Sequence, residues 1–171
     1  GNGTFAISPP FIFFDAQGVE YEINLYELDE TDRLTYQVAG FDYFVAQCSR
    51  IVIPNQYYDI PITKIHHIDG FGLISITIPH SVIEINQHAF FYEHMLEKII
   101  VDENNPVYSS ENGVLFNKEK TELLHYPSSK TDESYTFPNN VKVIPAYTFD
   151  GNAFLSNVVL IPKLIIKSLL F

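Results

Sequence analysis

The sequence predicts an α/β solenoid, mostly β, in which short parallel strands stack coil upon coil. Three observations favour this fold. The run Ile74–Pro79 alternates apolar and polar residues and then ends at a proline. Apolar or small residues follow Pro79 at offsets of 3, 6, 10 and 11, and residues of the same kind follow Pro138 at the same offsets. Strand ends recur every 23 to 25 residues, at positions 54, 79, 102 and 127, a period typical of leucine-rich solenoids.

Each part of the repeat has a physical role. A strand as short as Ser75–Ile78 is stable only when neighbouring coils complete its sheet and bury its apolar row. Proline lacks an N–H and has a fixed φ, so it ends the strand and begins the corner of the coil. The residues at offsets 3 and 6 are expected to point inward. We expect Ala89 and Phe90 on a short helical turn, where phenylalanine fills the wide end of the coil.

The repeat is similar to that of a known family. The segment "LISITIPHSVIEINQHAF" (Leu73–Phe90) resembles the repeat of the BspA-type leucine-rich repeat family of bacterial and protist surface proteins. The resemblance covers residues 50–162 and implies a right-handed leucine-rich repeat superhelix. A longer variant of the family repeat is matched by "NPVYSSENGVLFNKEKTELLHYP" (Asn105–Pro127).

The longer segment predicts a β-hairpin from its residues alone. Val114–Phe116 and Glu122–His125 form the two arms, and the polar stretch Asn117–Lys120 forms the turn. The hairpin is expected to replace the helical side of one coil.

The two ends of the chain depart from the repeat. Residues 1–49 are predicted to form an N-terminal β-hairpin cap with strands at Val19–Leu28 and Leu34–Phe41, since the first coil of a solenoid has an open apolar face. A small independent binding domain is the alternative for this region. Residues 50–171 are predicted to form the solenoid, whose last coil is irregular after Pro162. Both parts together are expected to form one structural domain.

Composition restricts the classes of function. The chain has 171 residues and a formal net charge of −11, which disfavours binding to nucleic acid or to anionic membranes because both attract positive surfaces. The sequence has no apolar run long enough to span a bilayer, so no membrane insertion is expected. The single cysteine, Cys48, excludes an internal disulfide framework.

Few residues suggest chemistry. The sequence has no nucleophile elbow, P-loop or dinucleotide-binding motif, so we expect no enzymatic activity and no cofactor. His66, His67 and Asp69 are the best metal candidates, but adjacent side chains seldom converge on one ion, and a polar corner is favoured. The stretch Asp102–Asn105 lacks the spacing of a calcium loop and is interpreted as structural. Cys48 is interpreted as a buried apolar group rather than a catalytic thiol.

The outward face of the strands is the best candidate for binding, because it would form the concave side of the solenoid. One row of its outward positions is more apolar than a solvated sheet requires, and exposed apolar patches often mark interfaces. The candidate binding residues are Ser75, Thr77, Lys98, Ile100 and Thr136.

The family resemblance implies a non-enzymatic module of a secreted or cell-surface protein. Its partner would be an extracellular protein or glycan, in adhesion to host or matrix. The alternative is a structural domain that forms a homodimer by stacking its incomplete C-terminal coil on a second copy.

Overall fold

In the computed structural model, the described residues are 11–14, 20–27, 36–41, 50–57, 59–68, 72–159 and 165–166, with the backbone alone described before residue 50. These residues contain strands and turns but no helix. The strands are β1 Phe11–Phe14, β2 Glu20–Glu27, β3 Tyr36–Phe41, β4 Arg50–Val52, β5 Gln56–Tyr57, β6 Ile60–Ile65, β7 Ser75–Ile78, β8 Glu84–Ile85, β9 Lys98–Val101, β10 Tyr108–Glu111, β11 Val114–Asn117, β12 Leu123–His125, β13 Ser134–Thr136, β14 Val143–Ile144, β15 Asn157–Val159 and β16 Ile165–Ile166.

The strands stack in two parallel columns. In the first column, β4, β7 and β9 lie side by side with Ile51, Ile76 and Ile99 in register. The second column contains β3, β6 and β8. Both columns resume after residue 126 as the parallel pairs β13·β15 and β14·β16. The predicted stack of short parallel strands is therefore confirmed, whereas the hand of the superhelix stays a prediction.

The corner after each strand has the predicted form. Val82 N donates to Pro79 O at 3.3 Å, and Val141 N donates to Pro138 O at 3.0 Å, so the two corners form the same kind of turn. Val82 is fully buried and Phe90 nearly so, as their offsets predict, while Ile85 is partly buried against the same core.

The expected helical turn at Ala89–Phe90 is wrong. The chain here forms successive turns closed by hydrogen bonds between residues three apart: Ala89 N donates to Asn86 O and Phe91 N donates to His88 O. The carbonyl of Ala89 accepts from Ile68 N of the preceding coil at 2.9 Å instead of bonding four residues ahead. A stretch this short also gains too few bonds to offset the cost of helix nucleation. The fold is therefore a β-solenoid and not an α/β one.

The predicted hairpin is confirmed and has a third strand. Strands β11 and β12 pair antiparallel with the predicted arms, and β10 pairs with the other edge of β11. The two-residue turn between β10 and β11 is Asn112–Gly113, with φ of 52° and 83°. Positive φ at both positions is the geometry that favours an Asn-Gly pair in tight hairpins.

The hairpin divides the buried interior into two clusters. Leu115 belongs to the first cluster, which extends over the coils from Ile51 to Ile99. Val114 and Phe116, its neighbours on β11, belong to the second cluster. Successive residues of a strand point to opposite faces, so β11 is buried on both sides. The second cluster is completed by Leu123, Tyr126, Phe137, Val141 and Ile144.

An asparagine ties each of two coils to the coil before it. Asn105 is fully buried, and its Nδ2 donates to the carbonyls of Pro79 and Val82, both at 2.8 Å. Its Oδ1 accepts from Val107 N and Tyr108 N, so every polar atom of the side chain is used. Asn152 repeats the arrangement with Pro127 O, Lys130 O, Phe154 N and Leu155 N.

The N-terminal strands continue the second column. β2 and β3 pair antiparallel, close to the predicted hairpin bounds, and β3 then pairs in parallel with β6. β1 adds a further antiparallel strand. Whether this sheet covers the apolar face of the first coil depends on side chains outside the described residues, so the cap and the domain boundary at residue 49 stay predictions. Cys48, Asp69 and Pro162 also lie outside the described residues.

Replacing Gly113 by alanine is expected to destabilise the fold by about 3 kcal/mol, the sum of a left-handed backbone and a steric clash in a packed region. A Cβ at Gly113 would lie 2.7 Å from Lys98 Cβ, whereas one at Gly72, which also has positive φ, meets nothing within 4 Å. Gly72→Ala is therefore the matched control and should cost only about 1–2 kcal/mol. Urea denaturation measures both, and equal losses would contradict the crowding at Lys98.

Candidate binding surface on the strand face

The outward side of the first column carries an apolar row flanked by cations. Parallel pairing places Val52, Thr77 and Ile100 side by side, and Val52 and Ile100 are 50% and 42% exposed. The neighbouring row contains Arg50 and Lys98, both exposed. Two aliphatic side chains this open to solvent lie on the outer strands of the row with Thr77 between them, as in an interaction surface.

The predicted binding residues differ in their exposure. Lys98, Ile100 and Thr136 are exposed, and Thr77 is half-buried. Ser75 shares the register of the exposed Arg50 and Lys98 but is itself only 5% exposed, so little of it is open to a partner and its part in binding stays a prediction. Its short side chain lies between the cross-strand neighbours Arg50 and Lys98, whose long side chains extend further from the sheet.

The outward face is interrupted beside β9. The Asn112–Gly113 turn between β10 and β11 approaches β9 here, with Ile99 N donating to Gly113 O at 2.9 Å. A depression of about 250 Å³ lies at this interruption. It is lined by Glu97, Lys98, Asn112, Gly113 and residues 129–132.

Charges in the depression are partly paired. Lys130 Nζ lies 2.9 Å from Asp132 Oδ2, and the Tyr126 hydroxyl donates to the same oxygen at 3.1 Å. The hydrogen bond from Lys130 holds the pKa of Asp132 below its usual range; burial opposes this shift, and the hydrogen bond from Tyr126 adds a smaller lowering effect. Lys98 is exposed and has no ion-pair partner among the described residues, so its ammonium group can meet an incoming acceptor.

His125 is a buried histidine on β12. It is 8% exposed, its ring lies 5.2 Å from that of Phe90, and its Nε2 has no hydrogen-bond partner among the described residues. Burial lowers its pKa from 6.5 to about 4, so the folded protein holds it neutral at pH 7. It lies in the hairpin and not on the strand face.

The other candidate residues do not converge. In the described ranges, no group of three or more histidine, cysteine or acidic side chains could hold a metal ion. His66 is exposed, while the ring of His67 packs on Tyr92. Asp102 Oδ1 accepts from Asn104 N at 2.8 Å, which agrees with the structural interpretation of this turn. The same ranges contain no helix that could cross a bilayer.

Sequence reasoning missed the depression and the asparagine contacts. The depression exists because the turn between β10 and β11 packs against β9. The Asn112–Gly113 pair was the sequence signal for that turn. The two asparagines lie in turns, but the carbonyls to which they donate belong to another coil and cannot be read from local spacing.

Comparison with known proteins identifies relatives of this architecture. No family model and no curated protein matches the chain. It is similar to the solved structure of a leucine-rich repeat protein from Eubacterium ventriosum, with 33% identity over 61% of this chain and a TM-score of 0.56. The matched part spans 29% of the Eubacterium chain. This likeness confirms the resemblance to leucine-rich repeat proteins.

Two further structures are more distant. The pneumococcal vaccine antigen PcpA is 16% identical, with 91% of this chain and 65% of that chain covered and a TM-score of 0.44. A leucine-rich cell surface protein from Faecalibacterium prausnitzii is 15% identical, with 88% and 70% covered and a TM-score of 0.42. At such TM-scores neither structure supports an inference about this chain.

Stability should fall in acid because His125 is held neutral in the fold. Its folded pKa of about 4 lies below the unfolded 6.5, so its contribution is complete above pH 6.5 and is lost as the pH falls towards 4. The loss by pH 4 is about 3 kcal/mol. His125→Leu, which has similar volume and no unpaired Nε2, should lose that much less stability than the wild type between pH 7 and pH 4. Urea titrations at both pH values test this, and parallel losses in the two proteins would contradict it.

Proposed function

We propose that this β-solenoid, which is similar to leucine-rich repeat proteins, is a non-enzymatic recognition module of a secreted or cell-surface protein. Its binding surface is the outward face of β4, β7 and β9, and its partner is an extracellular protein in an adhesive contact with host or matrix. The Eubacterium relative supports the repeat architecture, and the surface location follows from the resemblance to the BspA-type family.

One observation carries the proposal. Val52 and Ile100 flank Thr77 in register, and roughly half of each aliphatic side chain is exposed. A solvated sheet face would bear polar residues at these positions, whereas burial against a partner gains about 25 cal/mol for each Å² removed from water. Lys98 beside this row gives a positive local charge on a chain of net charge −11, which favours acidic groups in the partner. Aliphatic contacts suit a protein better than a hydrated glycan at this face.

The double variant Thr77→Glu/Ile100→Glu is expected to abolish binding at this face, raising the dissociation constant at least tenfold, which corresponds to about 1.4 kcal/mol. The two carboxylates would be desolvated in the complex without a partner. Surface plasmon resonance against a panel of extracellular matrix proteins gives the readout.

Ile83→Glu/Met95→Glu is the matched control for this experiment. Both residues are 53% exposed and lie outside the strands of the face, so the control should bind as the wild type does. A matrix protein that binds the two double variants equally well would contradict the proposed surface.

Self-association is the second candidate function. Val159 on β15 and Ile165 on β16 are more than half exposed, and each strand has one parallel neighbour among the described residues. A second copy stacked on these strands would cover both side chains. Light scattering over a concentration series should then show a dimer that Ile165→Glu dissociates, and a mass that stays monomeric would exclude this function.

A further inference from the structure

A continuous group of aromatic rings lies on the turn segments, away from the strand face. His67 packs edge-to-face on Tyr92, and Tyr92 does so on Phe91, with centroid distances of 5.9 and 5.3 Å. Phe91 in turn contacts His88 and Tyr147 at 5.7 and 6.0 Å. We call these five rings the aromatic platform.

The solenoid register brings the platform together. His88 and Tyr147 both follow the corner proline of their coils by nine positions, and their rings lie 5.4 Å apart although 59 residues separate them in sequence. Phe91, His67 and Tyr147 are half-buried and anchor the group. Tyr92 is 61% exposed and His88 is also exposed, so these two rings face solvent. Edge-to-face packing on the inner rings fixes their orientation.

Tyr147 adopts a backbone conformation that its side chain disfavours. Its φ is 63°, a left-handed value that is common for glycine or asparagine but a genuine outlier for a bulky residue. Among the four described non-glycine residues with positive φ, it is the sole aromatic one. Strain of this kind persists where a side chain is needed in one place, and here it holds the ring against His88 and Phe91.

The platform is neutral. Its three segments, residues 66–68, 86–92 and 145–149, contain no lysine, arginine or acidic residue, although the chain has 10 of the first two and 21 of the last. Their exposed residues are His66, Gln87, His88 and Tyr92. Gln87 Nε2 and His88 Nε2 lie 2.9 Å apart, so an amide and an imidazole border the open rings.

We propose that the aromatic platform is a binding site for neutral carbohydrate. The C–H groups on one face of a sugar ring carry slight positive charge and are attracted to the negative face of an aromatic ring. Tyr92 and His88 supply such faces, and the amide of Gln87 supplies a donor and an acceptor for hydroxyl groups. An acidic glycan would be repelled by the net charge of −11. These segments expose no aliphatic residue, which distinguishes the platform from the strand face.

The test is isothermal titration calorimetry with four neutral hexasaccharides. They are the β-1,4-linked oligomers of glucose, N-acetylglucosamine and mannose, and the α-1,4-linked oligomer of glucose. We expect the wild type to bind at least one of them at millimolar or lower concentration, and Tyr92→Ala to weaken that binding at least tenfold. Met95→Ala removes an exposed side chain of the same coil outside the platform and should bind as the wild type does.

Tyr147 provides an independent readout. Tyr147→Asn places a residue that tolerates positive φ at this position, so the protein should retain cooperative unfolding while sugar affinity falls. Tyr147→Phe keeps the ring and should keep the affinity. The Thr77→Glu/Ile100→Glu variant should bind sugar normally, because the strand face is a separate surface. Absence of binding for all four hexasaccharides, or binding that survives both Tyr92→Ala and Tyr147→Asn, would overturn the proposal.

Discussion

Strand β11 is the constraint on which the rest of the solenoid depends. Its side chains alternate between two interiors, with Leu115 on one side and Val114 and Phe116 on the other. A strand buried on both faces must satisfy its backbone within the protein, and β10 and β12 do so by pairing along both of its edges. All three strands of the hairpin are therefore inserted together between the coils, and the turn between β10 and β11 lies against Lys98. For this reason the outward sheet ends at β9 and resumes at β13.

The sequence predicted those features that repeat and that one coil can encode. Offsets from the corner proline identified Val82 and Phe90 as inward residues because burial in stacked coils has the period of the chain itself. The second column was missed because strands of two residues, such as Glu84–Ile85, are too short for alternation to be visible. The helical turn at Ala89 failed because its carbonyl bonds to another coil, and no local pattern records that contact.

The candidate surfaces were predictable to different degrees. The apolar row on the strands follows from register alone, so Ile100 could be placed on it from the sequence. The burial of Ser75 could not be predicted, since it depends on the length of the side chains of its cross-strand neighbours. The aromatic platform could not be predicted for a further reason: its contacts join residues up to 59 positions apart in the chain. His66 and His67 had suggested metal ligands, whereas the ring of His67 packs in a cluster that also contains the exposed His88.

The two asparagines that bond between coils have a consequence for how such arrays grow. Asn105 and Asn152 each bond backward to a corner proline carbonyl and to the carbonyl three residues beyond it, and forward to the amides of their own coil. The backward hydrogen bonds use carbonyl groups of the preceding coil and need no particular side chain there. A gene segment encoding one coil with its asparagine thus carries its own attachment, and duplication of that segment can lengthen the molecule without compensating change elsewhere. The number of coils can then vary in evolution more freely than the sequence of the corner, which every coil must keep.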